Sequence, residues 1–252
     1  MMRAMVTPTS LPLIVAHRGF SAAHRENSPA AWLAAVEAGA DLVEVDIRMT
    51  RDGTLVCCHD ADLQRLAGQP AAIAEIDAAA LAEIRVAGVP AAPSLDELFA
   101  ALPDGLAILF DVKDERADVL DRLVAAGAAS GRRGLTFGLH RLASVTHVRA
   151  RTDATILGLI SSLVEADAFF VAGGTILRLW ESEATAARIG EVTGRGRPVW
   201  VTTGEGETGR KVGDFDAREL QRMMTDGVTG FLVNDPLASR EALLSALRET
   251  GA

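Results

Sequence analysis

A chain of 252 residues, 49% of them hydrophobic, has the apolar material for a large core in one or two domains, and an α/β barrel of this size is usually one. Its 25 Lys and Arg against 34 Asp and Glu leave a net charge of −9, which argues against nucleic acid or an anionic membrane as a main partner. The only cysteines, Cys57 and Cys58, are strand neighbours facing opposite ways, so they read as reduced, packed thiols of a reducing compartment.

The opening stretch MMRAMVTPTSLPLIVAHRG has an apolar run, Leu11–Ala16, too short for a signal peptide or a membrane span, so a cytoplasmic protein without stable membrane insertion is expected. The first strand is predicted at Leu13–Ala16. In NSPAAWLAAVEAG a helix follows, with Asn27 or Ser28 as cap, Pro29 in the first turn and Gly39 at the end. The second strand is predicted at Leu42–Arg48. TRDGTLVCCHD reads as a hairpin turning at Asp52 and Gly53, followed by a short helix around Asp77–Val86, so Thr50–Pro93 is an excursion on one rim. Further strands are predicted at Leu106–Val112, Leu135–Leu139, Ile156–Ile160, Thr175–Leu179, Pro198–Thr202 and Gly230–Val233, separated by Ala-rich helical segments such as DERADVLDRLVAAGAASG. This alternation predicts a single-domain (β/α)8 TIM barrel over residues 1–252 with a small excursion after the second strand; a doubly wound sheet is the competitor.

Polar residues collect where the strands end. His17 and Arg18 end the first strand and His59 closes the hairpin. Glu44 and Asp46 lie two apart on the second strand, and Asp111 and Lys113 two apart on the third. Residues i and i+2 share a strand face, so two carboxylates stand side by side and need a positive partner. Three carboxylates, Glu44, Asp46 and Asp111, with no thiolate suit a hard divalent cation, Mg²⁺ or Ca²⁺ with Mn²⁺ possible. Arg18, Lys113 and that ion make a pocket for phosphate, and His17 with His59 can act as an acid/base pair. The pattern reads as metal-assisted phosphoryl transfer at a small-molecule diester. Each residue also has a plainer reading: an exposed carboxylate edge, a solvent histidine, or Lys113 paired with Asp111 or Asp114.

AHRGFSAAHRENSPAAW, VEVDIRMTRDGTLVCCHDADLQRLAG and FDVKD closely resemble the glycerophosphodiester phosphodiesterases, whose pattern runs HRG, ENT, ExD, T-x-DG-x-x-V-x-x-HD-x-x-LxR and an E-x-K strand. The likeness is dense from His17 to Arg65 and returns at PSLDELFAAL, VWVTT and GVTGFLVNDP, the last resembling the family's GVDGIITDYP. The resemblance implies a (β/α)8 barrel. It also implies hydrolysis of glycerophosphodiesters to glycerol 3-phosphate and an alcohol, through attack by the neighbouring glycerol hydroxyl and a cyclic phosphate. His17 and His59 then match the catalytic histidines, Glu44, Asp46 and Asp111 the metal ligands, and Arg18 and Lys113 the phosphate-holding groups, with acid and base unassigned between the histidines.

Among the departures of this chain from the pattern, those at the third strand, the seventh strand and the first helix matter most. Asp111 stands for the usual glutamate and is one methylene shorter, implying a shifted metal or an added water ligand. Trp200, Val201, Thr202 and Thr203 stand for Trp-Thr-x-Asn, which bears on substrate identity. Trp32 replaces a Phe. Trp200 is expected to line the substrate pocket, with filling of the barrel mouth as the alternative. Glu26 is either a site neighbour or an ordinary charge before a helix. His24 and His140 have weaker claims on the pocket, His147 reads as an outer-helix residue, and Met223 and Met224 as helix packing. Gly204–Lys211 is either a substrate cover or a solvated loop. Two rivals stand beside the hydrolase: a phospholipase-D-like enzyme that stops at the cyclic phosphate, and a catalytically dead phosphate-binding barrel.

Overall fold

The computed structural model describes residues 11–160 and 163–250. The reading of the extreme N-terminus at residues 1–10 lies outside the described residues. The strands are β1 (Leu13–Ala16), β2 (Leu42–Met49), β3 (Leu55–Cys57), β4 (Arg85–Val86), β5 (Val89–Pro90), β6 (Ala107–Val112), β7 (Leu135–Leu139), β8 (Thr155–Gly158), β9 (Ile176–Trp180), β10 (Val199–Thr202) and β11 (Gly230–Val233). Parallel pairing runs β1-β11-β10-β9-β8-β7-β6-β2, and β1 pairs with β2 to close the ring. The eight strands of this closed parallel barrel are the eight predicted from sequence, and the open sheet is excluded.

Helices α1 (Pro29–Glu37), α4 (Leu95–Ala101), α5 (Ala117–Ala129), α6 (Leu142–Arg149), α7 (Ala166–Val171), α8 (Ala186–Thr193), α9 (Ala217–Asp226) and α10 (Pro236–Thr250) follow the barrel strands or the excursion, while α2 (Gln64–Ala67) and α3 (Ala78–Ala82) belong to the excursion itself. Ser28, not Asn27, caps α1: its side chain accepts from the backbone N–H of Ala31, with Pro29 in the first turn. Ser94 and Glu97 form a reciprocal capping box on α4. In the excursion β3 pairs antiparallel with β2, in the register Ile47 with Cys57, and Gly53 supplies a φ of +89° for the turn. The helix expected to run to Val86 stops at Ala82, because Arg85 and Val86 pair with Val89 and Pro90 in a second small hairpin.

Alternation along each strand divides the core in two. Val43, Val45, Ile47, Ile108, Phe110, Phe137, Leu177, Leu179, Val201 and Phe231 face out against the helices, joined by Met223 and Met224 of α9. Val15, Leu42, Leu109, Leu157, Ile176, Trp200 and Leu232 fill the barrel. A fully buried side chain of this kind contributes about 1.5–3 kcal/mol, so both layers hold the strands in register. Cys57 belongs to the outer layer and Cys58 to a small cluster under the excursion, both buried and unbridged. Among the described residues no helix is long and apolar enough to cross a membrane.

Candidate active site

The inward-facing row of each strand starts apolar and ends polar. On β2 it runs Leu42, Glu44, Asp46, and on β6 it runs Leu109, Asp111, with Asp46 and Asp111 side by side in the ladder. Oxygens of Glu44, Asp46 and Asp111 lie within 4.8 Å of one another, with Glu44 and Asp46 buried. The Arg18 backbone N–H donates to Glu44 Oε2 at 2.7 Å, and Asn27 Nδ2 donates to Asp46 Oδ2 at 2.7 Å. Glu44 Oε1 and Asp46 Oδ1 are buried without a hydrogen-bond donor, although Lys113 Nζ reaches Asp46 Oδ1 as an ion pair at 3.2 Å. Burial, then the charges of Asp46 and Asp111, push the Glu44 carboxyl well above its ordinary pKa. Burial also opposes ionisation of Asp111, but the hydrogen bond from His140 and the charge of Lys113 outweigh it and hold that carboxyl below the usual range. An all-oxygen donor set with two buried, unsatisfied carboxylate oxygens fits a hard divalent cation.

Each expected phosphate-holding cation leans on these carboxylates. Arg18 Nε is 3.2 Å from Asp46 Oδ2 and its Nη1 is 3.2 Å from Glu26 Oε1. Lys113 Nζ is 2.6 Å from Asp111 Oδ2. Arg18 takes a left-handed φ of +57°, a conformation few non-glycine residues adopt. The next residue, Gly19, has φ +81°, and a Cβ there would sit 2.7 Å from the Ala31 carbonyl, so the turn that presents Arg18 requires glycine.

His17 is buried, and its Nδ1 is 2.9 Å from Asn234 Oδ1. Asn234 Nδ2 donates to the Val212 carbonyl at 2.7 Å and to Asp214 Oδ1 at 2.9 Å, while Ser21 Oγ donates to Asn234 Oδ1 at 3.0 Å. With both amide hydrogens committed, Asn234 offers His17 only an acceptor, so Nδ1 carries the proton and Nε2 keeps its lone pair. Burial first, then the Arg18 charge, lowers the His17 pKa to about 4. His59 Nδ1 is 2.8 Å from Asp60 Oδ1, and Arg65 links Asp60 at 2.5 Å to Glu26 at 2.6 Å. A chain of ion pairs thus runs from Arg18 through Glu26, Arg65 and Asp60 to the His59 ring.

His17, Arg18, His59, Asp111 and Lys113 line one cavity of about 330 Å³ at the C-terminal end of the barrel, together with His140, Arg178, Trp180, Thr202 and Glu205. The sequence model of the glycerophosphoryl diester phosphodiesterase family matches residues 17–160, more than half of the chain and including every one of the expected metal ligands and histidines. The chain belongs to this family.

Among relatives of the glycerophosphodiester phosphodiesterase type, the "Probable glycerophosphodiester phosphodiesterase 1" of Mycobacterium tuberculosis is 47% identical over 73 residues, which is 29% of this chain and 27% of that protein. The glycerophosphodiester phosphodiesterase of Caldanaerobacter subterraneus is 47% identical over 53 residues, 21% of this chain and 22% of that one. These curated relatives are therefore matched over about a quarter of their length. The crystal structure of a glycerophosphodiester phosphodiesterase from Thermotoga maritima has a TM-score of 0.76 at 21% identity, covering 92% of this chain and 98% of that one. An Oleispira antarctica phosphodiesterase, solved with the product sn-glycerol-3-phosphate, has a TM-score of 0.76 at 18% identity over 92% of this chain and 97% of that one. At these identities the structural likeness concerns the fold.

Trp200 is the family-type residue that the structure moves. It lies near the start of β10, 3% exposed, against Gly230 inside the barrel, and does not line the cavity; Trp180, at the end of β9, does. Val201 and Thr203 are also away from the cavity. Val201 faces the helices, Thr203 Oγ1 donates to the Leu232 carbonyl at 3.1 Å, and Thr202 between them faces the cavity. Of the weaker candidates, Glu26 and His140 join the site. His24 packs edge-on to Phe20, and His147 pairs with Asp121 on the outside. The loop after β10 is pinned by Glu181, which accepts from the Gly204 N–H at 2.7 Å and pairs with Arg210, and it brings Glu205 to the cavity wall. Reasoning from sequence assigned no site role to Asn27, Asp60 or Arg65, although they stand within the motifs quoted above, nor to Asn234, Arg178 or Trp180. The aspartate that stands at the place of Asn234 in GVDGIITDYP was the one available signal for that residue.

Proposed function

We propose that this chain is a divalent-metal-dependent glycerophosphodiester phosphodiesterase that releases glycerol 3-phosphate and an alcohol. One observation carries the reading: His17, His59, Arg18, Lys113 and Asp111 line one cavity, and Asp111 forms a single carboxylate cluster with Glu44 and Asp46, in a chain of this family. Glu44, Asp46 and Asp111 would hold the cation, with Asn27 and the Arg18 N–H orienting the first two. A bound divalent ion supplies Lewis-acid polarisation of a phosphoryl oxygen. Asp111 would exchange its Lys113 contact to join it, freeing that ammonium for the phosphate.

Arg18 and Lys113 hold the non-bridging oxygens. Nε2 of His17, which has no protein partner among the described residues, takes the proton of the glycerol hydroxyl next to the phosphate. That oxygen bonds to phosphorus as the bond to the departing alcohol breaks, and His59 protonates the alcohol. Asp60 pairs with the His59 ring when that ring is charged. In the second half, His59 takes a proton from water, whose oxygen opens the five-membered cyclic phosphate, and His17 returns its proton to the glycerol oxygen. His17 is thus the first base and His59 the first acid, and residues 1–252 act as one barrel domain in the cytoplasm on a small soluble diester, in keeping with the net charge of −9.

The test is release of glycerol 3-phosphate from glycerophosphoglycerol, followed by a coupled dehydrogenase assay. Chelation should abolish it and Mg²⁺, Ca²⁺ or Mn²⁺ should restore it; full turnover after exhaustive chelation overturns the metal-dependent reading.

A further inference from the structure

Arg178 sits on β9 between Ile176 and Trp180, all three on the inward row of the strand. It is 7% exposed, and its guanidinium carbon lies 3.9 Å from the centroid of the Trp180 ring. Among the described residues its guanidinium has no hydrogen bond and no ion pair, and its Nε is buried without an acceptor. Asp111, Glu183 and Glu205 attract it through space, yet none is in ion-pair contact. The two oxygens of Asp111 are taken by Lys113 and His140. Burial lowers the Arg178 pKa to about 10, still far above neutrality, so the group stays charged.

A buried guanidinium without a counter-ion is unfavourable, and this one lines the same cavity as the proposed catalytic groups. The other two cations there, Arg18 and Lys113, already have carboxylates. A phosphodiester carries one negative charge at its phosphate, which Arg18, Lys113 and the metal would meet. Arg178 is a cation in excess of that requirement. The glycerol side of the substrate is neutral, so a second anion carried by the intact substrate would sit on the departing alcohol. Stacking also covers one face of Trp180, the aromatic surface that a quaternary ammonium would otherwise use.

We propose that Arg178, held over the face of Trp180, binds a carboxylate or phosphate on the alcohol portion of the diester, so that the enzyme favours glycerophosphodiesters with acidic head groups. This inference rests on the phosphodiesterase reading above.

The experiment measures kcat/KM of the metal-loaded enzyme on four diesters. They are glycerophosphocholine, glycerophosphoglycerol, glycerophosphoglycerol bearing a terminal phosphate, and the diester of glycerol phosphate with 3-hydroxypropanoate. The last two separate phosphate from carboxylate as the favoured anion. Wild type should favour at least one acidic diester over the neutral one. Arg178→Gln should lower that acidic-to-neutral ratio by about tenfold or more, and Arg178→Lys should lower it partly, because an ammonium lacks the planar fork. An equal loss on all four diesters means that Arg178 reads the scissile phosphate and overturns the inference, as does an unchanged ratio. Calorimetric affinities of the neutral and terminally phosphorylated diesters for wild type and Arg178→Gln decide the question without turnover. Absence of turnover with a head-group preference in binding would sink the phosphodiesterase reading and keep the anion site. Turnover with no such preference would do the reverse.

Discussion

Asn234 Oδ1 stands 2.9 Å from Nδ1 of His17 across 217 residues of sequence, and the two acceptors facing its Nδ2, the Val212 carbonyl and Asp214 Oδ1, leave that amide no alternative orientation. This contact makes His17 a neutral ring with a free Nε2, which is the form a base requires. Introducing a carboxylate through Asn234→Asp should favour the imidazolium and raise the His17 pKa by about one unit or more. The change is best made together with Asp214→Asn, so that two carboxylates do not face each other. The acid limb of the kcat/KM–pH profile should move to higher pH by the same amount. An unmoved limb would mean that His17 is not the base.

The depressed pKa of His17 also sets a stability prediction. The unfolded ring titrates near 6.5 and the folded one near 4, so the unfolded chain binds more protons between those values. Stability from keeping this ring neutral is therefore complete above about pH 6.5 and is lost as pH falls toward 4, by up to about 3 kcal/mol. Urea unfolding of the chelated protein at pH 7 and pH 4.5 measures it. His17→Asn should lose less stability over that interval than wild type; equal losses would contradict the buried, neutral ring.

Glu44 is held in a place that disfavours its own charge. Without metal, Glu44→Gln should unfold at the same or a higher temperature than wild type, because it removes repulsion against Asp46 and Asp111. With Mg²⁺ or Ca²⁺ the order should reverse, since wild type gains binding energy that the variant lacks. Thermal unfolding with and without the ion decides it. A variant stabilised by metal as strongly as wild type would exclude Glu44 as a ligand.

Val201 and Thr203 depart from the family pattern at buried positions that do not line the cavity. Val201→Thr with Thr203→Asn should therefore lower stability by about 1–3 kcal/mol, the cost of new buried polar atoms, and leave the ranking of diester substrates as in wild type. Denaturant midpoints and relative kcat/KM values check this. A changed ranking at unchanged stability would restore these residues to recognition.

Much of the site was legible because strand alternation is a local property. Glu44 with Asp46, and Asp111 with Lys113, are two apart and share a face wherever the strand sits. The hairpin at Asp52 and Gly53 and the cap region of α1 are likewise local. Depth along a strand is not. Trp200 and Trp180 are both inward tryptophans, but β10 starts at Val199 and β9 ends at Trp180, so one lies at the floor and the other at the mouth. Arg178, within an otherwise apolar strand, gave no sign of being inward or unpaired. Asn27 was legible only as a helix cap, and its bond to Asp46 depends on how two elements meet. Asn234 acquires its role only when β11 closes against β1.

Phosphorus NMR of glycerophosphoglycerol with the metal-loaded enzyme tests the whole account most directly. Conversion of the diester signal to glycerol 3-phosphate should be complete in wild type. It should vanish on chelation and slow by about 10²–10⁴-fold in His17→Ala and in His59→Ala. Accumulation of a five-membered cyclic phosphate as the final product would mean a cyclase, and an unchanged diester signal at full metal loading would contradict the assignment of the cavity as a phosphodiesterase site.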